Sequence, residues 1–279
     1  VIELQGLIDE HGVVGAQFAV LADGEITDVA AGVLSAGTRA PVTTESLFQI
    51  ASITKVWTAT LVQELVNEGR LDLDGPVCDV LPGWPAGSAL AMSARDLPAF
   101  ARMHLATPAF AVMREPQMLL PDCGNRASWG LGWELPGYSG GPVIGHHGAN
   151  RGMASFLRIA PERGIAVALL TSGGAAREVF DDIIDNVFSE LAGVRRPEPP
   201  TPPEAPELVD ERFLGTYRCA DHEVVVTQAD HGRVRVDLDD DVREFVALRD
   251  DALIALERPH TVLVLKGDLL HFGRAAART

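Results

Sequence analysis

Between Arg196 and Pro206, six of eleven residues are proline. Proline has no amide hydrogen to give to a helix or a sheet, so this stretch packs as neither and forms a semi-rigid extended linker. It divides the 279-residue chain into an N-terminal region (residues 1–194), a linker (195–207) and a C-terminal region (208–279). With 47% hydrophobic residues, the chain has apolar material enough for a core on each side of the linker.

The two regions read differently. Beyond the linker, short β-rich runs recur at 214–218, 223–227, 233–237, 245–248, 253–256, 261–265 and 269–272, separated by turns such as His231-Gly232 and Lys266-Gly267-Asp268. That pattern predicts a small antiparallel barrel or meander. Before the linker the chain alternates. Gly15 to Val20 and Ile26 to Gly32 read as strands around the tight turn Asp23-Gly24, and Ser155 to Ala160 and Ile165 to Thr171 as a second hairpin. The unbroken apolar run 165–170 suits a strand covered on both faces, and Val179, Phe180, Ile183, Ile184, Val187, Phe188 and Leu191 trace one face of a helix stopped by Gly193. The fold class expected is α/β (α+β), an antiparallel sheet flanked by helices, followed by a small β-barrel.

Ser52-Ile53-Thr54-Lys55 stands at the head of a predicted helix in which Val56, Trp57, Leu61, Val62, Leu65 and Val66 recur at helical spacing, with Gly69 as the stop. Three residues are about one helical turn, so the amine reaches the hydroxyl. A serine hydroxyl is a weak nucleophile at neutral pH. An amine whose pKa is lowered by burial or by a second cation takes its proton, which makes Ser52 a candidate for covalent acyl chemistry. By itself Ser-x-x-Lys is more often a capping serine beside a solvated lysine. Its setting raises it here, because the amides of a helix start converge on the serine and an oxyanion is held there.

Composition excludes several partners. A formal charge of −16 argues against nucleic acid and anionic membranes, whose binding needs an excess of Lys and Arg. No stretch approaches the ~20 apolar residues of a membrane span. The first residues lack a basic segment followed by an apolar run, yet the absence of an initiating Met leaves a removed signal peptide open; of the two compartments the cytoplasm is favoured. Cys78, Cys123 and Cys219 are odd in number and widely spaced, with no metal-ligand pattern, so free thiols and no metal or other cofactor are expected. His11, His104, His222, His231, His260 and His271 carry no ligand spacing and read as structural or exposed.

The run 47–55, followed by Glu68-Gly69-Arg70-Leu71-Asp72-Leu73-Asp74-Gly75-Pro76-Val77, resembles the serine β-lactamase and penicillin-binding-protein superfamily, nearest its class C β-lactamase-like, esterase, D-aminopeptidase and transacylase branch. Ser93-Ala94-Arg95-Asp96-Leu97, Trp129-Gly130-Leu131-Gly132-Trp133 and Gly145-His146-His147-Gly148-Ala149-Asn150-Arg151-Gly152 follow in the order the resemblance requires. The resemblance implies Ser52 as the acylated nucleophile, Lys55 as the amine that takes and returns its proton, and His146 as the third-motif residue on the strand edging the cleft. Gly148 would leave room for substrate, and the amides of Ser52 and Ala149 would form the oxyanion hole. His147 has no fixed role in the family and reads as a cleft-lining donor or a packed residue. The resemblance also makes the C-terminal region similar to a lipocalin-like module.

One family feature has no counterpart. The tyrosine of the second motif belongs on a helical lobe after the nucleophile helix, and the two tyrosines here, Tyr138 and Tyr217, lie elsewhere. Either the lobe is deleted, or the sequence joins segments across stretches near 82–89 and 104–109, with 237–242 as a third such junction. The abruptness of these junctions favours joining. The function expected is hydrolysis of an ester or amide through an acyl-Ser52, as in an esterase, D-amino peptidase or β-lactamase-like enzyme. The alternatives are a biosynthetic transacylase with the same acyl-serine chemistry and a non-catalytic penicillin-recognising module. The partner in each case is a small ester, amide or β-lactam; oligomeric state is open.

Overall fold

The computed structural model describes residues 2–75, 87–124, 127–220 and 222–279. They form two compact units, Val1–Leu119 with Ser128–Arg196, and Leu120–Ala127 with Pro197–Thr279. The short stretch 120–127, which the sequence assigns to the N-terminal region, groups with the second unit.

In the first unit, β1 (Gly15–Ala22) and β2 (Glu25–Gly32) are joined by Asp23 and Gly24, whose φ of 52° and 81° are those of a hairpin turn matched to strand twist. Phe48–Gln49 (β3) pairs with Ala91–Met92 (β4) as a separate ribbon. Four further strands are Met118–Leu119 (β5), Ser128–Trp129 (β6), Glu134–Leu135 (β7) and Ile144–Asn150 (β8). They are followed by Met153–Ala160 (β9) and Ile165–Ser172 (β10). The main antiparallel sheet has eight strands in the order β2-β1-β10-β9-β8-β7-β6-β5. β10 is buried along its whole length, as its unbroken apolar run requires.

Side chains on β10 alternate between two cores. Val167 and Leu169 face α1 (Leu4–Glu10) and the C-terminal helical run, which begins as α4 (Ala176–Ile183), widens through a π turn (Ile184–Phe188) and ends as α5 (Ser189–Ala192). Gly193, at φ 66°, stops that run. Ala166, Ala168 and Leu170 face α2 (Thr54–Asn67), α3 (Asp96–Ala106) and a 3₁₀ turn at Pro108–Arg114. Each fully buried aliphatic side chain here contributes about 1.5–3 kcal/mol relative to exposure.

The buried side of α2 differs from the periodic one. Val56, Thr60 and Gln63 are buried, whereas Leu61 is 61% exposed and Trp57, Val62, Leu65 and Val66 are half-covered. Which face is covered depends on what packs there, and the covered side of α2 carries the polar Thr60 and Gln63 beside Val56. The stretch 104–109 is a helix stop, with Thr107 Oγ1 donating to the Met103 carbonyl at 2.9 Å and the Phe110 amide to the Thr107 carbonyl at 3.1 Å. Of the junction expected at 82–89, residues 82–86 lie outside the described residues.

The second unit is a closed antiparallel barrel of eight strands: β11 (Gly215–Cys219), β12 (His222–Gln228), β13 (Val234–Leu238), β14 (Asp241–Arg249), β15 (Ala252–Ala255), β16 (Val262–Lys266), β17 (Leu269–His271) and β18 (Ala275–Arg278). The eighth strand, Ala-Ala-Ala-Arg, has little strand propensity and is recruited by closure, pairing with β17 and with β11 at Tyr217↔Arg278. At 237–242, read from sequence as a junction, β13 and β14 form a hairpin. Asp239 and Asp240 take the left-handed conformation (φ 52° and 74°) that a two-residue turn needs. Cys123 and Cys219 are free and half-buried, and Cys78 lies outside the described residues.

Candidate active site

The nucleophile candidate is held by the two residues before it. Ile50 is fully buried and hydrogen-bonded to Leu90 at 3.0 Å, and Ala51 is forced to φ 44°, a left-handed conformation that costs a non-glycine residue roughly 1–2 kcal/mol. This kink starts a short 3₁₀ turn, Ala51–Ile53, which presents Ser52 half-exposed at the entrance to α2. One turn on, Lys55 Nζ donates to Ser52 Oγ at 2.9 Å and to the Gly87 carbonyl at 3.3 Å. Lys55 is exposed rather than buried.

β8 approaches the same turn. A Cβ on Gly148 would sit 2.5 Å from the Ile50 carbonyl oxygen and 2.7 Å from the Ser52 amide nitrogen, so only glycine admits this contact. Ser155 on β9, fully buried and opposite Gly148 in the ladder, locks the approach by donating to the Ile50 carbonyl at 2.8 Å, with the Gly148 carbonyl at 3.3 Å. Ala149, exposed, follows Gly148 on the strand. At the far end, Asn150 Nδ2 donates to Gln49 Oε1 of β3 at 2.7 Å. On its other side β8 pairs with β7 only at Glu134↔Gly145, so among the described residues no strand lies beside 146–150 there. The outcome is an open strand edge next to a helix start carrying a serine and an amine.

The two imidazoles point to opposite faces of β8. His146 is buried, edge-on to Trp129 at a ring separation of 5.5 Å, and its Nδ1 lies 2.6 Å from the His147 carbonyl oxygen. A carbonyl only accepts, so Nδ1 carries the hydrogen and Nε2 the lone pair. Burial lowers the pKa of His146, with the Glu134 carboxylate partly opposing, so the ring is neutral near pH 7. His147 is exposed, and its Nδ1 lies 2.7 Å from Glu134 Oε1.

Sequence reading thus names Ser52, Lys55, Gly148 and Ala149, which converge, and His146 and His147, which flank them on opposite faces. It misses Ser155, Glu134 and Gln17. Gln17, buried on β1, accepts from the Ala94 amide at 2.8 Å and donates to the Ser46 carbonyl at 2.9 Å, tying the approach to Ser52 to the start of α3. There the Asp96 carboxylate accepts from both the amide and the hydroxyl of Ser93 at 2.8 Å. A buried glutamine inside an apolar strand pattern is the one sequence signal that would have flagged such a tie. Among the described residues no cluster of ligating side chains suits a metal ion.

A family model described as Beta-lactamase matches residues 3–101. Penicillin-binding protein 4 of Amycolatopsis lactamdurans is 28% identical over 357 residues, covering 75% of this chain and 94% of that protein. That alignment is longer than this whole chain of 279 residues, so the relative carries stretches with no counterpart here. The crystal structure of SurE with D-Leu shares the fold at a TM-score of 0.81 and 23% identity, covering 98% of this chain and 97% of that one. The D-amino acid amidase of Ochrobactrum anthropi SV3, solved with L-phenylalanine, does so at 0.55 and 16% identity, covering 67% of this chain and 98% of that one.

Proposed function

We propose, since the chain belongs to the serine β-lactamase and penicillin-binding-protein superfamily, that it is a serine acyl-transfer enzyme acting through an acyl-Ser52. The observation that carries this reading is the 2.9 Å contact between Lys55 Nζ and Ser52 Oγ, one helical turn apart, beside a glycine that touches the Ser52 amide. Lys55 takes the hydroxyl proton as Oγ attacks a carbonyl carbon. The oxyanion settles on the amides of Ser52 and Ala149, and the leaving group departs with a proton returned through Lys55. His146 and Gly148 border the site, with His146 supplying a neutral ring beside the strand edge.

The substrate is an ester or amide, and we favour one whose acyl-donating residue has the D configuration. Supporting this are a relative described as a penicillin-binding protein and two structural relatives, one solved with D-Leu and one described as a D-amino acid amidase. Release to water is the first reading and transfer to an amine the second. The tyrosine-bearing lobe is, in this reading, absent from the chain: Tyr217 is sealed in the barrel, Tyr138 packs against the first core, and Leu61 of α2 is uncovered.

The test is covalent labelling with a fluorescent penicillin or a fluorophosphonate, followed by mapping of the modified residue. Label on Ser52 that vanishes in Ser52→Ala is expected, with turnover of an amide or ester falling by a factor on the order of 10³ or more. Lys55→Ala should stop acylation without unfolding the protein. A native protein that takes no label from either probe would mark a binding module without turnover. Adding an amine acceptor to the assay separates hydrolysis from transfer by the product formed.

A further inference from the structure

Ser52 follows a ribbon that stands outside the main sheet. β3 pairs only with β4, and Ile50 continues that pairing by donating to the Leu90 carbonyl at 3.0 Å. Among the described residues no backbone hydrogen bond joins residues 43–52 to the eight-stranded sheet. Side chains make the connection. Asn150 of β8 reaches Gln49, Ser155 of β9 reaches the Ile50 carbonyl, and Gln17 of β1 reaches the turn that leads into β3.

Gln17 differs from the other two in holding both arms of the ribbon. It lies on the face of β1 that carries Ala19 and Leu21 and is 1% exposed. On the arm that runs to Ser52, its Nε2 donates to the carbonyls of Thr43 and Ser46, the latter at 2.9 Å. On the other arm, its Oε1 accepts at 2.8 Å from the Ala94 amide, two residues past the end of β4. A carbonyl only accepts and an amide N–H only donates, so these contacts admit a single orientation of the side-chain amide. The turn is closed on itself by the Ser46 amide donating to the Thr43 carbonyl at 3.1 Å and the Thr43 amide to Ser46 Oγ at 3.0 Å, so it moves as a unit. The Ala94 amide has no other partner among the described residues. Next to it, Arg95 forks onto Asp28 of β2, but the arginine side chain is 53% exposed and solvent weakens that pair.

Clearance at the end of the ribbon is small. The Ile50 carbonyl and the Ser52 amide pass so close to Gly148 that a methyl group does not fit there. We propose that Gln17 is a positioning residue for acylation: it clamps both arms of the β3–β4 ribbon to β1 and so fixes where Ser52 stands against β8. This rests on the acyl-Ser52 reading above. Gln17 acts through the ribbon and not on the reacting atoms.

The experiment uses the full chain in two arms, well below the melting point of each variant. Gln17→Met keeps the length and bulk of the side chain and none of its three hydrogen bonds. In the first arm, hydrogen exchange should be faster at the Ala94 and Ile50 amides in this variant than in wild type. In the second, the rate of Ser52 labelling is followed against the concentration of a fluorescent penicillin. The maximal rate should fall about 10-fold or more, the scale of a displacement somewhat under 1 Å, with the half-saturating concentration within about twofold of wild type. Val179→Ala, in the core on the other face of the sheet, destabilises the same unit without touching the ribbon and should label at the wild-type rate. Gln17→Glu keeps the acceptor for Ala94 and loses donors to the turn, so it should loosen residues 43–50, leave Ala94 protected and label at an intermediate rate. It decides by the same criteria where Gln17→Met does not fold. A wild-type maximal rate in a folded Gln17 variant with loosened amides overturns the proposal, as does an equal loss of rate in Val179→Ala. Failure of Ser52 to label in wild type removes the positioning role through failure of the parent reading, and the exchange rates still decide whether Gln17 holds the ribbon.

Discussion

The eight-stranded sheet and the eight-stranded barrel of this chain treat their strand edges in opposite ways. In the barrel every strand is hydrogen-bonded to a neighbour on each side, and the interior is filled by Tyr217, Phe213 and Phe245. In the sheet, β8 is paired along its length by β9 but meets β7 only at Gly145. Closing all edges removes the places where a backbone could bind something else; leaving one open beside a helix start creates such a place. In the proposed reading the chemistry collects on the open edge, beside Ser52 and Lys55.

Three measurements sharpen or break that contrast. Gly148→Ala should have the largest effect, because the added methyl must displace β8 from the Ile50 carbonyl and the Ser52 amide. Misplacement of about 1 Å predicts a fall in Ser52 labelling on the order of 10²-fold, with the barrel unaffected. Wild-type labelling would mean that the contact does not organise the site.

Acid should separate the units next. His104 is buried against Trp133 and Phe110, with Trp133 Nε1 donating to its Nε2 at 3.2 Å. Burial, helped by Arg114, lowers its pKa to about 4. The unfolded chain takes up this proton near pH 6.5 and the folded one only near 4, so the stabilisation is complete above about 6.5 and is lost as pH falls toward 4, on the order of 3 kcal/mol in total. All four tryptophans precede the proline-rich linker, so denaturation followed by their fluorescence reports the first unit. A flat stability profile over that range would remove His104 as its cause.

The smallest effect is expected from Tyr217→Phe. The Tyr217 hydroxyl donates to the Phe213 carbonyl at 3.0 Å in the barrel interior, and its loss should cost about 1 kcal/mol. Far-UV circular dichroism should show the barrel melting earlier while tryptophan fluorescence and Ser52 labelling stay as in wild type. A loss of labelling would mean that the closed unit serves the site after all.

Much of this contrast is legible in the sequence. Seven of the barrel strands announce themselves by apolar runs and turns, and the eighth does not, because three alanines become a strand only when closure offers partners on both sides. Ser52 and Lys55 are readable because the contact is local, one helical turn. Gly148 and Ala149 are readable by order along the chain. Ser155 and Glu134 are not, since each acts on a residue far away in sequence and looks locally like an ordinary strand residue; Gln17 shows only as a polar residue inside an apolar strand pattern, and its partners are equally distant. The buried face of α2 is misjudged for a related reason: periodicity finds an apolar stripe, whereas coverage depends on the neighbour that packs there.

The bare position in the row Glu134–Gly145–Arg158, which crosses β7, β8 and β9, carries a practical consequence for anyone building variants. A methyl at 145 would sit 2.2 Å from the Leu157 carbonyl oxygen and 2.7 Å from Arg158 Nη1, so the position has room for a hydrogen and nothing larger. A saturation library at that codon should return a single survivor, however mild the selection, while the neighbouring surface positions scatter freely.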